Sequence, residues 1–147
     1  MTLITNETLF AIYYEIEYFS TMKKIETSNS LLKLDSKGIV WLSFPKKTNH
    51  TLDSMKEYFE AINTLDLNKE GILLLVTMNK LSGISKEARD LVKHKTMAKA
   101  HKAVAMVVTS ILSKMIASFF LGFNKPPFPI KSFTKNEDAL AWLKRQI

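Results

Sequence analysis

The segment Ala103 to Phe123, AVAMVVTSILSKMIASFFLGF, runs straight into NKPPFPIKSFT, and together they restrict the fold more than any other stretch. Lys114 is the only charge in the first piece, which is nearly long enough to cross a membrane as a helix. A lysine at mid-membrane costs about 2.5–3.5 kcal/mol on insertion scales, and the two halves differ in character. Residues 103–108 suit a buried strand, whereas those after Ser110 follow helical spacing. We therefore read a strand followed by a helix, and a membrane span is set aside.

Ser110 is the expected N-cap of that helix. Its inward half is expected to hold Ile111, Leu112, Met115, Ile116, Phe119, Phe120 and Phe123. Phe119 and Phe123 are assigned to the core. Phe120 and Leu121, at or beyond the edge of the apolar arc, are the candidates for contact with a partner or ligand. Gly122 and Asn124 suit a left-handed helix terminus, and Pro126 and Pro127 forbid continuation. Phe128 then serves as a rim residue or a plug under the sheet. Pro129 suits the first residue of an edge strand, and TKNE has capping-box spacing, with Thr134 as N-cap and Glu137 reaching back. A last helix is expected to bury Ala139, Leu140, Leu143 and Ile147.

Upstream, SLLKLDSKGIVWLSFP reads as a hairpin, with Asp35 bonding the turn and Gly38 at positive φ. Thr51 caps a helix whose inner side is Leu52, Met55, Phe59 and Ile62. Asn68 and Gly71 bracket a loop into the wholly apolar strand GILLLV. NKLSGIS is read as a loop leading to a helix capped by Ser85, with Ile84, Ala88, Leu91 and Val92 inward. Lys86, Arg89 and Lys93 form an outward basic stripe. Beyond Lys95 the pattern degrades, because Lys95, Lys99 and Lys102 swing onto the apolar side, which implies fraying or a bend. The fold class is α/β, a mostly parallel sheet opened by an antiparallel hairpin, with about four helices.

Residues 1–22 form an N-terminal extension and 23–147 one domain. Within the extension, the apolar pattern fits a strand (Ile12, Tyr14, Ile16, Tyr18) and a helix (Leu9, Ile12, Tyr13, Ile16) equally. It lacks the basic start and cleavage site of a signal peptide. An alternative start at Met22 would leave the preceding residues without a structural role.

The chain has no cysteine, which removes disulfides and thiolate chemistry and suits a cytoplasmic location. Its formal charge is +7 over 147 residues. Residues 1–22 carry three acids and no base, so the remainder holds all 21 basic side chains against 11 of the 14 acidic ones. That balance attracts nucleic acid, anionic lipid or an acidic protein without choosing among them.

From Leu31 onward the chain resembles the bacterial SpoIIAA-like proteins of the STAS superfamily, relatives of the anti-sigma-factor antagonists. The resemblance is carried by GIVWLSF, HTLDSMKEYFEAI, SGISKEARD and, most specifically, FNKPPFPIKSFTKNEDALAWL. It implies a small regulatory or ligand-binding domain, not an enzyme. In the antagonists a serine leading into the second helix is phosphorylated by a partner kinase. The matching neighbourhood here is Leu81-Ser82-Gly83-Ile84-Ser85, so Ser82 and Ser85 are the candidate switch residues. A phosphate there would meet the amide donors and positive dipole end of a helix. Two features stand against the switch: serine at this position commonly just caps the helix, and Lys80 and Leu81 replace the usual acidic residue.

Other chemistry is thinly supported. His50, His94 and His101 are the only side chains poised to titrate near neutrality, and Asp90 and His94, four apart, could pair on one helix face. No HExxH, metal-ligand cluster or glycine-rich phosphate loop is present, so no cofactor or metal is expected. Nucleic-acid binding has the Lys86, Arg89, Lys93 stripe in its favour but lacks interleaved aromatics. The leading expectation is a non-enzymatic regulatory domain acting through a protein partner, with a homodimer as one form of contact. The alternative is a carrier or sensor of a small apolar or lipid ligand.

Overall fold

The computed structural model describes residues 5–21, 23–65, 70–122 and 125–147. The elements run α1 (Asn6–Thr21), β1 (Lys23–Glu26), β2 (Leu31–Leu34), β3 (Ile39–Ser43), β4 (Thr48–His50), α2 (Leu52–Thr64), β5 (Ile72–Thr77), β6 (Leu81–Ile84), α3 (Lys86–Val92), α4 (Lys95–Ala100), β7 (His101–Val107), α5 (Ile111–Leu121), β8 (Ile130–Phe133) and α6 (Asn136–Lys144). A six-stranded sheet has the order β1-β2-β3-β5-β7-β8. Its first two pairings are antiparallel and the other three parallel. This is the α/β sheet opened by a hairpin that the sequence implies, extended by β1, which it did not reveal.

The hairpin closes as its turn residues dictate. Asp35 Oδ1 accepts from the amides of Lys37 and Ile39 at 2.9 Å each, its Oδ2 accepts from Trp41 Nε1 at 3.0 Å, and Gly38 takes φ 82°. Pleating divides the core. Leu73, Leu75, Ala103 and Ala105 face α6 through Ala139 and Leu143, while Leu74, Val104 and Met106 face the cluster holding Met55, Tyr58, Val92, Met97 and Phe120. The strands β5 and β7 are thus covered on both faces, and their apolar runs follow from that. β8 is an edge strand, as Pro129 requires.

Several expectations are corrected. NKLSGIS is not a loop: Leu81–Ile84 is a strand, paired in parallel with β4 in a second, two-stranded sheet. Four residues with a central Gly83 gave no alternation to detect; a Cβ at Gly83 would meet only the Asn49 side chain, at 2.9 Å from Oδ1, which an exposed asparagine relieves by moving. Among the described residues there are six helices where about four were expected. One addition is α1, which resolves the ambiguity in the extension in favour of helix. The other comes from a break at His94, which sits at φ −74°, ψ 150° and caps α4, its Nδ1 accepting from the Thr96 amide at 3.3 Å. The degraded pattern near Lys95 is the phase of this new helix, with Met97 inward. Asp90 on α3 and His94 at the start of α4 therefore do not share a helix face. On α2 the inner stripe includes Tyr58 and Ala61, with Phe59 only half-buried.

The largest correction is α5. Ser113, Ala117 and Phe120 are its buried residues, while Ile111 is 81% and Met115 64% exposed, and Leu112, Phe119 and Leu121 are exposed as well. Ser110 and Ser113 form a reciprocal capping box at 3.0 Å in each direction, which fixes Ser113 inward. Small side chains at Ser113 and Ala117 let the helix sit close to β6 and β8. The widest apolar arc thus faces out, and the expected placement of Phe119 and Phe120 is reversed. Gly122 has φ −102°, so it is not the left-handed terminus expected.

Further on, α6 is capped by Lys135 without a side-chain bond; Thr134 lies one residue outside the cap, so the expected box with Glu137 does not form. Ile147 lies past the end of α6 and is exposed. The expectations for Asn68, Phe123 and Asn124 fall outside the described residues. Among the described residues no helix is long and apolar enough to cross a membrane. Residues 103–107 of the apolar run belong to β7 and residues 111–121 to α5.

Candidate functional site

Two features lie on either side of Phe120. The first is a groove of about 280 Å³ between β6, α3 and α5, lined by Ser82, Gly83, Arg89, Leu112, Met115 and Phe119 among others. Ser82 reaches it because β6 is a strand. The Arg89 guanidinium lies 4.6 Å from the centroid of the Phe119 ring, a cation–π contact that holds the ring against α3. The outward apolar side chains of α5 continue the groove onto the surface. Ser85, the other candidate switch, accepts a hydrogen bond from the Ala88 amide at 3.2 Å as the N-cap of α3.

The second feature is an apolar cavity of about 100 Å³ on the α2–α5 side of the sheet. Phe120 and Phe128 form part of its wall, both buried. Of the expected contact residues, then, Ser82 and Arg89 share the groove, and Phe120 and Phe128 share the cavity. Leu121 is exposed at the last turn of α5, and Lys86 and Lys93 are exposed at the two ends of α3.

Among the described residues that line it, Tyr58, His101 and His50 carry nitrogen or oxygen in their side chains, but the surface turned to the cavity is wholly apolar. His101 Nδ1 lies 3.1 Å from the Met97 carbonyl, which can only accept, so Nδ1 carries the proton. Nε2 is then the acceptor for the Tyr58 hydroxyl. Burial pushes His101 down to about 4, against the opposing pull of the Met97 hydrogen bond, and raises the Tyr58 hydroxyl above its ordinary range. His50 is positioned by the β4–β6 pairing, where it opposes Ile84. Burial lowers it to about 4 as well. Both histidines are therefore neutral at pH 7.

Sequence reasoning identified these histidines only as titratable groups and missed Tyr58. Met55, Tyr58 and Ile62 share the 3–4 spacing that marked the helix, and that signal could have found it. The β4–β6 pairing that brings His50 in left no such trace.

A family model described as a domain of unknown function, DUF7793, matches residues 32–147. The chain belongs to the DUF7793 family. No curated protein matches this DUF7793 chain in sequence. Among solved structures it is similar to an uncharacterised protein of the DUF3478 family from Shewanella loihica PV-4, described as having a SpoIIAA-like fold. The identity is 18%, the TM-score 0.53, and the match covers 84% of this chain and 92% of that one. The likeness establishes a SpoIIAA-like fold for the DUF7793 domain, in agreement with the family resemblance carried by its motifs.

Proposed function

We propose that this DUF7793 protein is a non-enzymatic regulatory domain that docks a protein partner on the outward face of α5, with Ser82 as the gate. One observation carries the reading: α5 turns Ile111, Leu112, Met115, Phe119 and Leu121 to solvent while burying only Ser113, Ala117 and Phe120. Apolar side chains concentrated on one helix face mark an interaction surface, whereas scattered ones do not. Ser82 lies in the adjoining groove beside Arg89. A phosphate on Ser82 would add nearly two negative charges next to that guanidinium, draw it off Phe119 and reshape the docking surface. Ser85 is the weaker candidate because its hydroxyl already caps α3.

The test is isolation of partners by the full chain from its native cells, in parallel with Met115→Lys, Ser82→Asp and Ser85→Asp. The reading expects a discrete partner, or a second copy, that Met115→Lys loses and Ser82→Asp weakens at least tenfold. Equal capture by all four chains contradicts it, and a partner lost only in Ser85→Asp moves the gate to that residue.

A further inference from the structure

We propose that the cavity beneath the sheet is a site for a small, uncharged molecule that is hydrocarbon over its whole surface, a single ring or a short branched chain. This site is separate from the α5 surface and does not rest on it.

The wall keeps its polar atoms out of the cavity. Tyr58, His101 and His50 line it, yet the surface presented is wholly apolar. For two of the three the structure shows where those atoms are engaged: the Tyr58 hydroxyl donates to His101 Nε2 at 2.6 Å, and His101 Nδ1 donates to the Met97 carbonyl at 3.1 Å. A buried water needs two to four polar partners. None faces this cavity, so water gains nothing by entering, and an apolar occupant has no bound water to displace.

Size and wall set what fits. An apolar cavity of about 150 Å³ takes up benzene or xenon, and this one is about 100 Å³. Met55 of α2, Met78 just after β5, Met97 of α4 and Met106 of β7 all line it. Methionine is unbranched and polarisable, so a wall built from four of them yields to a single ring where branched side chains would hold their shape. An occupant restores the dispersion contacts that atoms lining a void forgo.

The same surface sets the chemical class. Among the described residues that line the cavity, none is a lysine, arginine, aspartate or glutamate. A hydroxyl would give up its hydrogen bonds to water and find no partner, and a carboxylate or ammonium would lose far more. Of two molecules with one shape, the hydrocarbon therefore binds more tightly.

The experiment titrates benzene, toluene and phenol into the full chain and reads the methionine methyl NMR signals. Met115, 64% exposed on α5, is the internal control for binding at the surface. The expected result is saturable shifts of Met55, Met78, Met97 and Met106 by benzene and toluene, no matching shift of Met115, and an affinity for phenol at least tenfold below that for toluene, which has nearly the same shape. In Val92→Phe, which puts a ring into the cavity from its wall, the toluene affinity should fall at least tenfold. The proposal is overturned if neither hydrocarbon gives saturable shifts, if the shifts are confined to Met115, if phenol binds as tightly as toluene, or if Val92→Phe leaves the toluene affinity unchanged. The first three readouts use the wild-type chain, so they decide even where Val92→Phe fails to fold.

Discussion

Tyr58 on α2 donates its hydroxyl hydrogen to Nε2 of His101, the first residue of β7, at 2.6 Å, and the two rings stack with planes 10° apart and centroids 5.7 Å apart. The Met97 carbonyl, in the middle of α4, holds the other ring nitrogen. Three elements are thus tied by one buried chain of hydrogen bonds. Tyr58→Phe keeps the ring but strands Nε2. Denaturant unfolding should show a loss of about 1–3 kcal/mol, and a loss below about 0.5 kcal/mol would mean the bond is not made.

Burial of His50 and His101 predicts a pH dependence. Each has a folded pKa near 4 against an ordinary 6.5, so between those values the unfolded chain binds more protons. The stability they contribute is complete above about pH 6.5 and is lost as pH falls towards 4. Each histidine adds about 1.4 kcal/mol per pH unit within the window. Unfolding free energies measured between pH 7 and 4.5 for the wild type and His50→Leu should therefore differ in slope by about that amount, and parallel curves would refute the burial of His50.

Gly71 and Gly38 both have positive φ, but for different reasons. A Cβ at Gly71 would meet the His101 carbonyl carbon and the Lys102 amide nitrogen at 2.9 Å, whereas at Gly38 it meets nothing within 4 Å. Gly71 also lies beside the register shift that sets His101 opposite Ile72. Gly71→Ala should cost well over about 1 kcal/mol and more than Gly38→Ala, which bears the φ penalty alone. Equal losses by thermal unfolding would contradict the close approach.

The absence of native cysteine makes the orientation of α5 directly measurable. Met115→Cys and Ile111→Cys should react with a thiol reagent at near the rate of a free peptide, and Ala117→Cys should be slowed by orders of magnitude. Substituting Lys at 111 or 115 should change stability by no more than about 0.5 kcal/mol, whereas Ala117→Leu should cost about 1–3 kcal/mol by overpacking.

The sheet was largely legible because its signals are local. Asp35 and Gly38 define a turn, unbroken apolar runs at β5 and β7 mean two covered faces, and Pro126 with Pro127 must end a helix. The helices that misled are those whose orientation depends on close approach. On α5, apolarity pointed one way, and the small Ser113 and Ala117, with a capping box, turned the helix the other. The binding features were hardest to see for a related reason. His50 and Ser82 are set by the pairing of two very short strands, and Tyr58 meets His101 across 43 positions of chain. Neither pairing leaves a periodic pattern in the sequence.

The proposal that α5 is a docking surface is tested most directly by placing a photo-crosslinking residue at position 115 in the full chain, with a control at the exposed Ala141 of α6, and irradiating native cells. The account predicts one discrete adduct at 115, reduced by Ser82→Asp and missing at 141. No adduct at 115, or the same adducts at both positions, would contradict it.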